Sequence, residues 1–185
     1  MTVRIAPSAD VSPQASIGDG SAIWHLAQVR EGAVLGGNCI VGRGAYVGTG
    51  VVMGDNCKLQ NYALVYEPAR LGHGVFVGPA VCFTNDHFPR SVTPDGQLKR
   101  GDDWEAVGVT CLDGASIGAR SVCVAPVTIG RWALVAAGSV VVKDVPDFAL
   151  VAGVPLTDTG DGRWICPETG AAYMEHDGTL TEATP

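Results

Sequence analysis

Every sixth residue from Ile5 to Phe83 is apolar without interruption: Ile5, Val11, Ile17, Ile23, Val29, Leu35, Val41, Val47, Met53, Leu59, Val65, Leu71, Val77 and Phe83. The residue four places after each lead is small, from Ala9, Ala15 and Ser21 through Ala63 and Ala69 to Val81. Glycine often follows the lead directly, as at Gly18, Gly36, Gly42, Gly48, Gly54, Gly72 and Gly78, where it is expected to supply backbone angles that other residues resist. A period of six is neither helical nor a plain strand alternation. One short strand and one turn per unit satisfy it, and three units close a triangular coil of eighteen residues. Such coils stack by parallel strand pairing about 4.8 Å apart. Large aliphatic leads fill the prism, and small fifth residues let the wall turn inward. The pattern predicts an all-β chain, a parallel β-helix of the hexapeptide type.

The phase breaks after Phe83. Asp86 to Glu105 is rich in charge, proline and glycine and reads as one long external loop, the kind of excursion that is often functional. The repeat resumes with leads Cys111, Ile117, Cys123, Ile129, Val135 and Val141, and small residues follow at Ala115, Ser121, Val127, Ala133, Ser139 and Val145. Asp147 to Pro155 reads as a short apolar cap with room for one short helix. Residues 1–155 are thus expected to form the β-helix domain, and 156–185 a polar C-terminal extension whose last ten residues or so are loose.

Composition narrows the partners. A net charge of −7 argues against nucleic acid as the main partner. There is no signal-like segment and no run of eighteen apolar residues, so a cytoplasmic protein with no membrane contact is expected. Cys39 and Cys57 fall at small inward positions and Cys111 and Cys123 at leads, so all four read as buried thiols of a reducing compartment. No CxxC spacing occurs, and no metal is expected.

Residues eighteen apart lie above one another. Glu31, Thr49, Glu67 and Asn85 form one column, and His25, Arg43, Asn61 and Pro79 another. Glu67 and Asn85 stand side by side where the loop leaves, and Asp86, His87 and Arg90 follow at once. A carboxylate, an amide, an imidazole and a guanidinium gathered at one corner suit a hydroxylated or amino-bearing substrate. A polar corner residue taken singly is more often just solvated; the cluster gains weight by coinciding with the break in the repeat.

At these residues the chain resembles a known family. Ile23-Trp24-His25, Gly54-Asp55-Asn56, Gln60-Asn61, Val65-Tyr66-Glu67, Gly74 to Pro79 and Phe83-Thr84-Asn85-Asp86-His87-Phe88-Pro89-Arg90 resemble the left-handed β-helix N-acetyltransferases of nucleotide-linked 3-amino sugars, most of all those acting on UDP-2-acetamido-3-amino-2,3-dideoxyglucuronate. Gly114 to Ala119 and Ala137 to Pro146 are similar to stretches shared widely by hexapeptide acyltransferases. The resemblance implies a left-handed coil, a homotrimer with active sites between neighbouring prisms, and acetyl-CoA as acyl donor along the later coils. It places the pantetheine arm against backbone groups at Ala119, Ala137 and Ser139, cofactor phosphates near Lys143, and the sugar amine at Asn85, with Glu67 and Asn61 beside it. Tyr62 after Asn61 and Pro68-Ala69 after Glu67 depart from the family pattern, which bears on which sugar is accepted.

Direct transfer without an acyl-enzyme is expected, since no Ser-His-Asp arrangement occurs. Asn85 would orient the amine, Glu67 or Asp86 would take its proton, and His25, Asn61, His87 and Arg90 would line the acceptor. The alternative on the same fold is an O-acetyltransferase using one of the four histidines as base. A hydratase with three zinc-bound histidines and a non-catalytic assembly scaffold are weaker alternatives.

Overall fold

The computed structural model describes residues 2–154 and, beyond them, the backbone of four short strands at Thr157–Asp158, Arg163–Ile165, Ala172–His176 and Thr179–Glu182. Each hexapeptide contributes one strand of two or three residues, and the strands assemble into three parallel sheets, the walls of a prism. The first wall stacks Arg4–Ile5, Ala22–Ile23, Ile40–Val41, Lys58–Leu59, Phe76–Val77, Ser116–Ile117, Leu134–Val135 and Leu150–Val151. The second stacks Asp10–Val11, Gln28–Val29, Tyr46–Val47, Leu64–Val65, Cys82–Phe83, Val122–Cys123 and Val140–Val141. The third stacks Ser16–Ile17, Val34–Leu35, Val52–Met53, Arg70–Leu71, Val109–Cys111 and Val127–Ile129.

Lead pairs with lead. Val41 opposes Leu59, and Val47 opposes Val65, a constant offset of 18. Around each lead the flanking amides bond to the next coil, as Gln28 N–H does to Ala45 O and Arg30 N–H to Val47 O, both at 2.9 Å. The leads Leu35, Met53, Leu59, Phe83, Ile117 and Ile129 are buried together with the small fifth residues Ala27, Ala33, Ala45, Ala63 and Ala133. The series does not bury evenly. Ile5 is 47% exposed and Val11 and Ile17 are partly buried, because the first coil has a neighbour on one side only.

The glycines after the leads act differently from expectation. None of Gly18, Gly36, Gly42, Gly48, Gly54, Gly72 or Gly78 has a positive φ. What they provide is clearance, because a Cβ at any of them would meet the next coil inside van der Waals contact. The left-handed turn falls two residues later. Glycine takes it at Gly20, Gly44, Gly50 and Gly114, and Leu26, Asn38, Asn56, Tyr62, Arg120, Trp132 and Phe148 take it with φ between 53° and 62°.

Two changes of register shape the later coils. Arg70 pairs with Val52 at the ordinary offset but with Thr110 at an offset of 40, so 22 residues are looped out of the third wall. Near the end one coil is short by two: Ile129 bridges Val145, and Leu134 pairs with Leu150, both 16 apart. Val145 therefore takes a lead position rather than the small fifth one expected of it, and the cap contributes the strand Leu150–Val151 instead of a helix. The four C-terminal strands pair antiparallel in chain order as a separate sheet. Cys166 of the extension lies outside the described residues.

Gly72→Ala is expected to destabilise the coil stack by about 1–3 kcal/mol through overpacking, since its Cβ would strike Asp113 Oδ1 and lie 2.9 Å from Asp113 N. Gly50→Asn should stay close to wild type, because the site is open and asparagine already holds the same conformation at Asn38 and Asn56. Urea unfolding of the two variants checks the distinction.

Candidate active site

The residue two places after each lead sits at a corner, and its N–H lies outside the wall ladder. A side chain from the equivalent corner of the next coil often takes it. Gly37 N–H donates to Asp55 Oδ1 (2.8 Å), Arg43 N–H to Asn61 Oδ1 (2.9 Å), Asp55 N–H to His73 Nδ1 (3.0 Å), His73 N–H to Asp113 Oδ1 (2.8 Å) and Arg131 N–H to Asp147 Oδ1 (2.7 Å). These are caps of one coil by the next, each satisfying a donor the fold would otherwise leave open. The Asn61 carbonyl and the His73 ring are thereby committed to the scaffold.

The corner between the second and third walls behaves differently. Its column holds Glu31, Thr49, Glu67 and Asn85, and after the loop reaches Lys143. Glu31 is gripped by Arg30 (Nε to Oε2, 2.9 Å; Nη2 to Oε1, 2.7 Å) and receives the Thr49 hydroxyl at 3.0 Å. The Arg30 bonds, helped by its own backbone and Thr49, hold the Glu31 carboxyl down to about 2. Glu67 lies against Gly48, where no side chain intervenes, and its Oε2 is buried with no hydrogen-bond partner among the described residues. Tyr46 and Tyr66 stand together with ring centroids 4.9 Å apart. Burial, and next the charge of Glu67, push the Tyr46 phenol above its ordinary range. Pairing of Val65 with Phe83 keeps Glu67 and Asn85 in one column. The Asn85 carbonyl accepts Val107 N–H at 3.0 Å, while its side-chain amide makes no hydrogen bond among the described residues.

Lys99 ties the loop down. Its Nζ donates to Asp86 Oδ2 (3.0 Å) and to Phe88 O (3.2 Å), and it lies 5.8 Å from the Trp104 ring centroid. Asp86 Oδ1 accepts Phe88 N–H at 2.8 Å, so both carboxylate oxygens are engaged in holding the loop. Partial burial pushes the Asp86 carboxyl up, but Lys99, the Phe88 N–H and nearby charge together bring it below its ordinary value. His87 and Arg90 are exposed, His87 beside Phe88 and Arg90 donating to Pro89 O at 3.1 Å.

The remaining expected residues lie at another corner, between the first and second walls. His25, Arg43 and Asn61 border a groove of about 330 Å³ with Trp24 and Gln60. Further along the same column come Ala119 and Ala137. Neither has a side chain that reaches back, and the amides of both make no hydrogen bond among the described residues. Ser139 is buried, donating its hydroxyl to Ala136 O (2.7 Å) and its N–H to Ser121 Oγ (3.3 Å). The expected set is therefore split: Glu67, Asn85, Asp86 and Lys143 belong to one corner, and His25, Asn61, Ala119 and Ala137 to the other. Sequence reasoning missed the pairing of Tyr46 with Tyr66, which carried a signal in its spacing, since 46 and 66 flank leads one coil apart. Lys99 was legible as a cation that could meet a diphosphate or a carboxylate of the substrate or simply be solvated, and the structure binds it to Asp86 instead.

Two of the buried thiols are unsuited to nucleophilic work: burial pushes Cys111 well up and Cys123 to about 12. Among the described residues no three His, Cys, Asp or Glu are grouped to hold a metal ion.

Residues 31–61 and 113–143 match the family described as the hexapeptide repeat of succinyl-transferase. The chain is 36% identical over 140 residues to the bifunctional protein GlmU of Synechococcus sp. (strain RCC307), covering 76% of this chain and 27% of that one. It is 40% identical over 91 residues to dTDP-3-amino-3,6-dideoxy-alpha-D-galactopyranose 3-N-acetyltransferase of Aneurinibacillus thermoaerophilus, covering 42% and 47%. The chain thus spans between about a quarter and a half of the length of these relatives. Among solved structures it is similar to the acetyltransferase domain of PglB from Neisseria gonorrhoeae FA1090 in complex with acetyl coenzyme A, with 26% identity, a TM-score of 0.53, and coverage of 82% and 55%. AntD, an N-acyltransferase from Bacillus cereus, shares the fold at 19% identity and a TM-score of 0.55, with 84% and 78% covered.

Lys99→Met should free the loop. Trypsin is expected to cut at Arg90 and Arg100 several-fold faster while the thermal midpoint of the coil stack stays unchanged. Because the Asp86 pKa is lowered on folding, the tie is complete above the ordinary carboxylate value and fades as pH falls through the lowered one; hydrogen exchange of the loop across that range checks the sign.

Proposed function

We propose that this chain is an acetyl-CoA-dependent N-acetyltransferase acting on the amino group, at C3, of a nucleotide-diphosphate-linked amino sugar. The observation that carries the reading is Glu67. Asp55, Asn61, His73 and Asp113 cap the neighbouring coil and Glu31 is held by Arg30 and Thr49, whereas Glu67 keeps one carboxylate oxygen, Oε2, buried and unpartnered among the described residues, one coil from the Asn85 amide. A buried acceptor without a donor is costly unless a ligand supplies one, and an amine is such a donor. The named sugar N-acetyltransferase supports the acceptor class, and the acetyl-CoA complex of the gonococcal domain supports the donor.

The chemistry needs no covalent enzyme intermediate. The side-chain Oδ1 of Asn85 accepts a hydrogen bond from the amine and turns the amine's lone pair toward the thioester carbon. As the nitrogen–carbon bond forms, Glu67 takes the amine proton. The carbonyl oxygen gathers negative charge and is met by an open amide at Ala119 or Ala137, a donor typically worth about 3 kcal/mol. Collapse breaks the carbon–sulfur bond and releases CoA as the thiol once it regains a proton. Asp86 is a positioning residue in this scheme, fixing the loop from which Asn85 emerges, and Lys143 meets cofactor phosphate.

Donor and acceptor groups lie at different corners of one prism, separated by a wall of roughly 15 Å at ~3.3 Å per extended residue. We therefore place the reaction between two copies in a homotrimer, where the Glu67–Asn85 corner of one prism faces the Ala119–Ala137 corner of its neighbour. The heights agree: Glu67 and Asn85 leave the fourth and fifth strands of the second wall, just below the strands that precede Ala119 and Ala137.

Glu67→Gln should lower kcat about 100-fold, in the range for loss of a general base; Asn85→Ala should lower it comparably with assembly intact. Thiol release from acetyl-CoA with a panel of UDP- and dTDP-linked amino sugars reads both, and near-normal turnover in either variant removes that residue from the scheme. Ala137→Asp should place a carboxylate over the Ala119 amide as Asp55 does over Gly37, weakening CoA binding at least tenfold without loss of stability. Co-refolding Ala137→Asp with Asn85→Ala should restore activity that neither has alone; no recovery would place both corners' work within one chain.

A further inference from the structure

The groove between the first and second walls has a composition that the acylation chemistry does not call for. Trp24 forms one side and is 40% exposed, with the Arg4 guanidinium 5.0 Å from its ring centroid. Arg43 lines it, its N–H capped by Asn61 and its guanidinium in no ion pair among the described residues. His25 is anchored by a 2.9 Å bond between Nδ1 and Ser8 Oγ, which leaves Nε2 for a ligand. Gln60 adds an amide, and Ile40 and Leu59 an apolar floor. An indole face flanked by unpaired guanidinium groups suits a planar base attached to phosphate, since bases stack on aromatic rings and phosphate pairs with arginine in a fork.

The placement along the axis agrees. The groove spans the second to fourth strands of the first wall, Glu67 and Asn85 follow the fourth and fifth of the second, and the open amides of Ala119 and Ala137 follow the sixth and seventh of the first. A nucleotide-linked sugar seated with its base low and its sugar high would bring the amine to Glu67 and Asn85, with the thioester descending from above.

We infer that this groove is the site for the nucleoside diphosphate portion of the acceptor, with Trp24 stacking the base and Arg43, aided by Arg4, holding the phosphates. The inference rests on the acceptor proposed above and deepens it. Base plus phosphate is also the chemistry of the adenosine end of CoA, so the test separates the two sources. Calorimetry with UDP, dTDP, GDP and CoA is run on the unmodified protein, Trp24→Leu and Arg43→Gln, each checked for an unchanged thermal midpoint. The expected result is that at least one of the three nucleoside diphosphates binds the unmodified protein and is weakened at least tenfold by both substitutions, with CoA affinity within twofold. Three results overturn the inference: nucleoside diphosphate binding unchanged in the variants, CoA weakened in its place, or no nucleoside diphosphate bound by the unmodified protein. Thiol release with amino-sugar nucleotides reports separately on the acylation reading, which survives the first two. Should a variant fail to fold, photolabelling of the unmodified protein with an azido-UDP or azido-dTDP probe decides: label between Trp24 and Asn61 supports the groove, and label confined elsewhere overturns it.

Discussion

Stacking in register is the constraint from which the rest follows. Each wall strand spends its amides and carbonyls on the coils above and below, and this holds the offset at 18 wherever the chain is uninterrupted. The constraint fixes lead over lead and corner over corner, so a side chain's neighbours are set by arithmetic on its number. It also leaves one donor per corner outside the ladder. What occupies that donor decides whether a corner is scaffold or site.

In the early coils the answer is mostly a side chain: Asp55, Asn61, His73 and Asp113 reach back to the coil before them. Each needs the preceding glycine for clearance, which explains why glycine follows the lead so often without a positive φ. At the corner between the first and second walls, where Asn61 caps Arg43, alanine stands in the later coils, and the amides of Ala119 and Ala137 make no hydrogen bond among the described residues, while the column of Asp55, His73 and Asp113 stays capped as far as Asp147. The same geometry thus yields a rigid base and a row of open donors, according to one residue per coil. Ser21 and Ser121 show a related economy inside the wall, each donating to the carbonyl of a corner one coil on, Gly36 O at 3.1 Å and Ala136 O at 2.9 Å.

The walls, the break after Phe83 and the columns were legible because a period of six leaves few ways to bury its leads, and because register turns sequence separation into height. The shortened coil at Val145 was not, since a valine suits a lead and a fifth position equally well. Two site residues were legible by type but not by role. From the sequence Asn61 is expected to line the acceptor and Asp86 to be one of two candidate proton acceptors; in the structure Asn61 Oδ1 caps Arg43, and Asp86 binds Lys99 and Phe88 N–H. A polar residue's partner depends on which donor comes within reach, and loops such as 86–105 set that without any period. The division of the site between two corners was implicit in the numbers: 67 and 85 follow second-wall leads, while 25, 61, 119 and 137 follow first-wall leads.

That division has a physical consequence for how the site can work. Chemistry between groups on separate corners of a solid prism cannot be completed by a side-chain rotation, because the wall between them is packed with Tyr46, Leu64 and Cys82 outside and Val47, Val65 and Phe83 inside. Its outward positions turn apolar from Tyr46 upward, through Leu64, Cys82, Val122 and Val140, after the polar pair Asp10 and Gln28, which bond to each other at 2.7 Å. An apolar wall between two half-sites is what a neighbouring copy would cover in bringing the halves together. The polar pair at its foot marks where such a contact would end. Assembly and catalysis would then draw on one feature: the regular stacking that keeps each wall flat enough to meet another and each corner at a defined height.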